Sequence, residues 1–482
     1  MEVKFSEAAF GKNDIRGKVG EDLCPALFEL IGKAFATYIS DKEKTAGKTT
    51  EQINVSVAQD ARLHSPELTD ALIKGLRSCG INVLDLGLCP SPLGYFSEYA
   101  GLNLTSTLVV TASHNPPEYN GIKMTYRQVA LNEQEIIKLK DMTFAGNFVK
   151  SEKEGSYKKY DIVSDYINIV GKPFLGKGKG VTVVVDSGNG TGGVVAPDLY
   201  RKMGCEVIDI FTEPDGHFPN HHPDPSKEKN VKALKEKIAE TGADLGIAFD
   251  GDSDRIGVVD NKSYSMPGDQ LMLIYALDIL ENRKHNSPPK PVFVSEVKCS
   301  QVLYDTIDQN GGHSVMWKTG HAYIKSKMKE ENAVMAGEMS GHTFFKDRYY
   351  GYDDAVYAGC RIIEIVAAKK AKNPEFNLSD IIEALPKKFT SPELRIACPN
   401  ELKYRIVEEL KADLSQKPDI FVNKIENIIT IDGIRLVFND GFALIRASNT
   451  EPTFTIRFEA GTQENLDNYQ EKFLALLDAK MK

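Results

Sequence analysis

An α/β protein of several layered domains is what this sequence predicts, and three observations carry the prediction. Short β-rich runs alternate with helix-like amphipathic segments through most of the chain, the pattern of sheets covered by helices. The 482 residues exceed what one hydrophobic core ordinarily serves. Beyond about residue 386 the runs alternate apolar and polar, as half-buried antiparallel strands do. The expectation is three similar α/β domains with mixed sheets and a smaller C-terminal α+β domain, divided at residues 1–160, 161–265, 266–385 and 386–482.

Taken in order, residues 53–58 read as a strand and Ser65-Pro66 as a helix cap followed by the first helical position. Residues 81–86 form a second strand, and 106–110 a buried one that empties into Thr111-Ala112-Ser113-His114-Asn115-Pro116. In the second domain, strands at 181–186, 206–211 and 245–249 are followed by one at 256–259, with Asp250-Gly251-Asp252-Ser253-Asp254-Arg255 between the last two. The third domain has strands at 291–297, 314–317 and 333–336, the last running into Gly337-Glu338-Met339-Ser340-Gly341-His342. After a Pro/Lys-rich boundary at 386–392, strands at 434–438, 442–447 and 453–460 precede a closing helix at 463–480.

Composition narrows the function. With 41% apolar and 26% charged residues the chain is globular. A net charge of −9 disfavours an extended nucleic-acid surface and leaves a local basic pocket for a small anionic substrate. The seven cysteines are dispersed without a C-x-x-C, against structural zinc or a disulfide framework. The N-terminus lacks the apolar core of a signal peptide, and the strongest apolar stretch, 271–280, is broken by Asp278. A reduced cytoplasmic protein, off the membrane, is expected.

Ser113 alone reads as a turn or capping serine before a nucleophile. His114 and Asn115 beside it, the stiff Pro116-Pro117 and the nearby Lys123 favour a hydroxyl that holds a phosphoryl group, whose spread charge needs fixed positive partners. Asp250, Asp252 and Asp254 form either a solvated acidic turn or a cation site. A calcium loop is excluded, because Arg255 and Asn261 stand where glycine and glutamate are required. Three short carboxylates at a strand's carboxyl end suit Mg²⁺ with positions left for a phosphoryl oxygen. Glu338 and Ser340, two apart, form either a plain turn or, if extended, a pair facing two sugar hydroxyls, and Arg446, Ser448, Asn449 and Thr450 concentrate anion donors on a hairpin turn. The glycine-rich 186–193 segment has neither P-loop nor dinucleotide spacing and reads as tight strand-to-helix packing.

Together these motifs resemble the α-D-phosphohexomutases, specifically the bacterial phosphomannomutase/phosphoglucomutase group, over nearly the whole chain. The resemblance implies four domains around a central cleft. It also implies Ser113 carried as phosphoserine, and Mg²⁺ bound by Asp250, Asp252, Asp254 and the phosphoserine. The implied reaction is reversible intramolecular phosphoryl transfer between hexose 1-phosphate and hexose 6-phosphate, of mannose or glucose, with hexose 1,6-bisphosphate as intermediate and activator. Arg16, His114, Lys123, Arg255 and His342 match positions near the reacting groups, with Lys123 and His342 as proton-transfer candidates. Lys298, His321, Glu338, Ser340, Arg446, Ser448, Asn449 and Thr450 match substrate contacts. Glu338 and Ser340 would read O3 and O4 and leave O2 unread, so mannose and glucose are both accepted. Met339 and Asn449 fit this group rather than the phosphoglucosamine mutases, and Asn220-His221-His222-Pro223 is a further matching stretch. Asn13 replaces a common tyrosine, and Ala58-Gln59-Asp60 a more usual Gly-Arg-Asp, with Asp60 and Arg62 kept. The implied partners are hexose phosphates, with no nucleic acid, and the chain is a monomer or weak homo-oligomer.

Overall fold

The structure, a computed structural model, describes residues 6–12, 14–283, 288–416, 420–448 and 452–481. The chain folds into two compact units, one of residues 1–268 with 340–380, the other of residues 269–339 with 381–482. The third stretch foreseen from sequence, 266–385, thus contributes its first part to one unit and its second part to the other.

The first unit holds two mixed sheets. In the N-terminal one, Asn54–Gln59 runs parallel to Asn82–Leu88 and Ser106–Val110, and Tyr119–Tyr126 returns antiparallel beside Ser106–Val110. Val55, Val57, Leu108 and Val110 are fully buried with Leu27, Ile31 and Leu72 of the covering helices Pro25–Lys44 and Ser65–Ser78. These helices touch at glycines: a Cβ on Gly75 would lie 2.2 Å from the Glu29 carbonyl oxygen, and one on Gly32 2.5 Å from that of Leu72. The second helix starts one residue earlier than the sequence suggests. His64 is its cap, and Ser65 is inside the helix with its hydroxyl donated to Asp60 Oδ1 at 2.6 Å. A buried carboxylate outcompeted the helix end for that hydroxyl.

In the second sheet Thr182–Asp186 lies between Glu206–Ile210 and Leu245–Phe249, all parallel, with Ile256–Asp260 antiparallel at the side of Leu245–Phe249. Continuous burial of Leu245–Phe249 explains its unbroken apolar run. Helix Ala355–Lys372 belongs to this unit. Asp354 caps it, accepting from Tyr357 N at 2.9 Å, and the Tyr200 hydroxyl donates to Val356 O at 3.0 Å.

In the second unit Val292–Glu296 is flanked in parallel by His313–Trp317 and Met335–Gly337. The C-terminal sheet is antiparallel throughout, with Gly441–Ala447 between Ile434–Phe438 and Thr453–Ala460. Helices Asn400–Gln416 and Gln463–Met481 supply Leu410, Leu414, Phe473 and Leu477 to its core. Among the described residues no helix is long and apolar enough to cross a membrane, and all seven cysteines are free thiols.

Because the Gly32–Gly75 crossing leaves no space for a methyl group, Gly75→Ala must push two backbones apart. It should lower unfolding free energy by about 1–3 kcal/mol, read as a drop in urea midpoint at unchanged m-value.

Candidate active site

Two strand ends meet in the first unit. Ser106–Val110 delivers Ser113, and Leu245–Phe249 delivers Asp250, each at the carboxyl edge of its sheet, where α/β folds place ligands. The Ser113 hydroxyl donates to Asp250 Oδ2 at 2.8 Å. A Cβ on Gly251 would come within 2.5 Å of the Ser113 carbonyl oxygen, so glycine is what lets the two loops touch. Ser113 is buried and has φ of +52°, a left-handed conformation that costs a non-glycine residue roughly 1–2 kcal/mol. Its N–H is held by Thr111 Oγ1 at 2.9 Å.

The acidic loop folds on itself. Asp250 Oδ1 accepts from Asp254 N and Arg255 N, each at 3.1 Å. Thr191 N donates to Gly251 O at 3.0 Å, and a Cβ on Gly190 would clash with that oxygen at 2.7 Å. The glycine-rich 186–193 segment, expected from its spacing to be tight strand-to-helix packing, packs against the acidic loop. His221 of the Asn220–Pro223 stretch meets Asp186 at 3.0 Å and stands against Gly188, backing the same turn.

Asp250, Asp252 and Asp254 are fully buried, with one oxygen of each within 4.8 Å of the others. Asp252 Oδ1 and Asp254 Oδ1 are buried without a hydrogen-bond partner. Three hard oxygen donors with such orphaned atoms fit a divalent cation of the Mg²⁺ or Mn²⁺ kind. Lys123 Nζ lies 2.5 Å from Asp252 Oδ2 and 2.6 Å from Asp254 Oδ2. Burial alone would lower the lysine's pKa, but these carboxylates raise it well above the ordinary value. Asp250 moves up, through burial and the neighbouring Asp254 and Asp252. Asp254 moves down despite burial, because Lys123 and His342 face it.

A polar chain leads away from the serine. Ser113 Oγ is 3.1 Å from His114 Nδ1, and Arg255 NH1 is 3.4 Å from His114 Nε2. Arg255 Nε donates to His342 Nε2 at 2.9 Å, and His342 Nδ1 faces Asp353 Oδ2 at 3.1 Å. Burial, then the positive charges of Arg255 and Arg16, hold the His114 pKa well below the histidine range, so the ring is neutral. Arg16 donates to Asn115 Oδ1 at 3.0 Å and pairs with Asp14. All the phosphoryl-site residues expected from sequence therefore gather in one unit. Asp353 and Arg62 were missed as site residues. Both are buried charges, a signal that needs burial to be seen.

The second unit carries the other set. Lys298 pairs with Glu393 at 3.0 Å and Glu296 at 3.5 Å. Glu296 also accepts from the Thr319 hydroxyl at 2.6 Å and Met339 N at 2.7 Å. Glu338 accepts from Gly320 N at 2.6 Å, at the start of the helix His321–Glu330. Asp432 accepts from Thr319 N at 3.0 Å and Arg446 Nε at 2.9 Å, and Ser448 N donates to Thr453 O at 2.9 Å to close the hairpin. Segments distant in sequence are thus tied by Glu296, Glu393, Glu338 and Asp432, and of these only Glu338 was identified from sequence. Ser340, the partner expected for Glu338, falls in the first unit by contact. Asn13, Asn449 and Thr450 lie outside the described residues.

Comparison with known proteins gives a consistent picture. Residues 7–150, 164–263 and 267–389 match the phosphoglucomutase/phosphomannomutase alpha/beta/alpha domains I, II and III, and residues 393–476 match the C-terminal domain. A Pseudomonas syringae protein named phosphomannomutase/phosphoglucomutase is 40% identical over 471 residues, covering 98% of this chain and 95% of its own. A Neisseria meningitidis phosphoglucomutase is 39% identical over 475 residues, covering 98% and 96%. The crystal structure of a phosphoglucomutase/phosphomannomutase family protein from Burkholderia thailandensis superposes with a TM-score of 0.88 at 36% identity, covering 99% and 98%.

Burial would raise the pKa of Glu393, yet Lys298 and Arg395 hold it down at about 2. A depressed carboxylate stabilises the fold above its unfolded value, here near 4.5, and that contribution is lost as pH falls through about 2. Replacing Lys298 by methionine should shift the Glu393 titration upward, measured by carboxyl-carbon NMR, and remove its share of the acid-side stability change.

Proposed function

This chain belongs to the phosphoglucomutase/phosphomannomutase family, whose members interconvert hexose 1-phosphates and hexose 6-phosphates, and we propose that it does so through phospho-Ser113 with Mg²⁺. The observation that carries the reading is the Ser113 hydroxyl bonded to Asp250 at the rim of a buried three-carboxylate loop. Four domains, at 1–160, 161–265, 266–385 and 386–482, are part of the same reading, and four successive family matches support them.

In the proposed cycle the phosphoryl group on Ser113 Oγ passes to the free O1 or O6 of a hexose monophosphate. The O–P bond to serine breaks as the bond to the sugar forms, giving the 1,6-bisphosphate. After the sugar reverses, its other phosphoryl group returns to Ser113 and the isomer leaves. Nothing is hydrolysed in the balance. Asp250, Asp252 and Asp254 would hold Mg²⁺, which when bound supplies positive charge to a phosphoryl oxygen. Arg255 and Arg16 add fixed positive charge beside the serine loop, and His114 donates from Nδ1 to Ser113 Oγ. Lys123 and His342 are the groups proposed to move the hydroxyl proton between sugar and serine. Lys123 is held in its charged form by Asp252 and Asp254.

Glu338 and Ser340 are proposed to read O3 and O4, and Lys298 and His321 to make further substrate contacts. Arg446, Ser448, Asn449 and Thr450 are proposed to clamp the non-reacting phosphate, for which a guanidinium fork among hydroxyl and amide donors is suited. Leaving O2 unread makes glucose and mannose phosphates alternative substrates. A cytoplasmic monomer or weak homo-oligomer, with hexose phosphates as partners and hexose 1,6-bisphosphate as activator, is part of the same proposal.

Ser113→Ala should abolish exchange between the 1- and 6-positions, with the fold intact by circular dichroism; wild-type turnover would reject the nucleophile. In the wild-type protein, isomer should form in large excess over free phosphate. Phosphate release matching substrate loss would instead make the protein a sugar phosphatase. A parallel assay with glucose, mannose and glucosamine phosphates should favour the first two.

A further inference from the structure

We propose that Arg62 is a positioning residue for phosphoryl transfer, acting as a rigid template that sets the conformation of the Ser113 loop; this rests on Ser113 being the nucleophile. Arg62 and Asp60 follow the central strand Asn54–Gln59, and both are buried. Each of the five N–H donors of the guanidinium has its own acceptor. Nε donates to Asp60 Oδ2 at 3.0 Å, NH1 to Pro116 O at 2.5 Å and Tyr119 O at 2.9 Å, and NH2 to Ser113 O at 2.9 Å and Asn115 O at 2.6 Å. Four of these five are backbone carbonyls between Ser113 and Tyr119, before, within and after the rigid Pro116-Pro117 pair.

Asp60 completes the template. It accepts from Arg62 N and Arg62 Nε, both at 3.0 Å, which fixes the plane of the fork. It also accepts from the Thr111 hydroxyl at 2.8 Å, and Thr111 Oγ1 in turn accepts the Ser113 N–H at 2.9 Å. The peptide groups before and after Ser113 are therefore both anchored to one ion pair, the first through Thr111 and Asp60, the second through Arg62. That double anchorage holds the left-handed φ of Ser113 and with it the direction in which Oγ leaves the loop. Lysine has the charge but only three donors and no plane, so it cannot reproduce the five-acceptor pattern.

Misplacing a reacting atom by about 1 Å costs on the order of 100-fold in rate. Arg62→Lys should accordingly lower kcat by roughly 10- to 100-fold while leaving KM for glucose 1-phosphate within about twofold, because the substrate contacts lie elsewhere. Labelling of Ser113 by glucose 1,6-bisphosphate, followed by intact mass, should slow in parallel. Wild-type kcat in Arg62→Lys overturns the proposal, as does a loss of kcat matched by the loss of folded protein. If Arg62→Lys does not fold, Arg62→Ala with added guanidinium replaces it. Recovery of turnover with guanidinium and not with ammonium supports the template; no recovery in a refolded protein overturns it. Ser113→Ala run alongside separates the two levels: turnover there sinks the nucleophile itself, whereas an inactive Ser113→Ala beside a fully active Arg62→Lys sinks only the role of Arg62.

Discussion

Concentrated negative charge in a buried loop is the constraint around which the first unit is organised. Three carboxylates within 4.8 Å of one another repel strongly where water is excluded. They persist there only because cations and donors are brought to them. Lys123 arrives from the neighbouring sheet, backbone N–H groups of Asp254 and Arg255 turn inward, and the Ser113 hydroxyl closes the fourth side. The same need for positive charge makes the loop attractive to a divalent cation. Stability and chemistry are served by one arrangement of charge.

Much of this was legible in the sequence because it is local. Strands such as Ile434–Phe438 and Leu245–Phe249 announce themselves by unbroken or alternating apolar runs. The alternating aspartates after a buried strand, and the serine after another, mark loop chemistry by spacing alone. The resemblance to known mutases then joined the motifs and supplied the reaction.

What escaped the sequence is pairwise and distant. Arg62 meets carbonyls more than fifty residues away, and Asp432 joins Thr319 to Arg446 across more than a hundred. Such partners are fixed by how sheets stack and by which buried charge must be neutralised, so no spacing rule reveals them. Ser65 illustrates the same limit on a small scale. Its position before Pro66 reads as a cap, but the buried Asp60 offered a stronger acceptor. The division of the chain at Met339 and Ser340 is likewise set by packing and has no marker in composition.

That division has a consequence for how such a protein diversifies. Ser113, the aspartate loop, Arg255 and His342 belong to one compact unit, while Lys298, His321, Glu338 and Arg446 belong to the other. Of the residues proposed to read the sugar, Ser340 alone shares its unit with the aspartate loop, so a change there is constrained by the packing that holds the buried carboxylates.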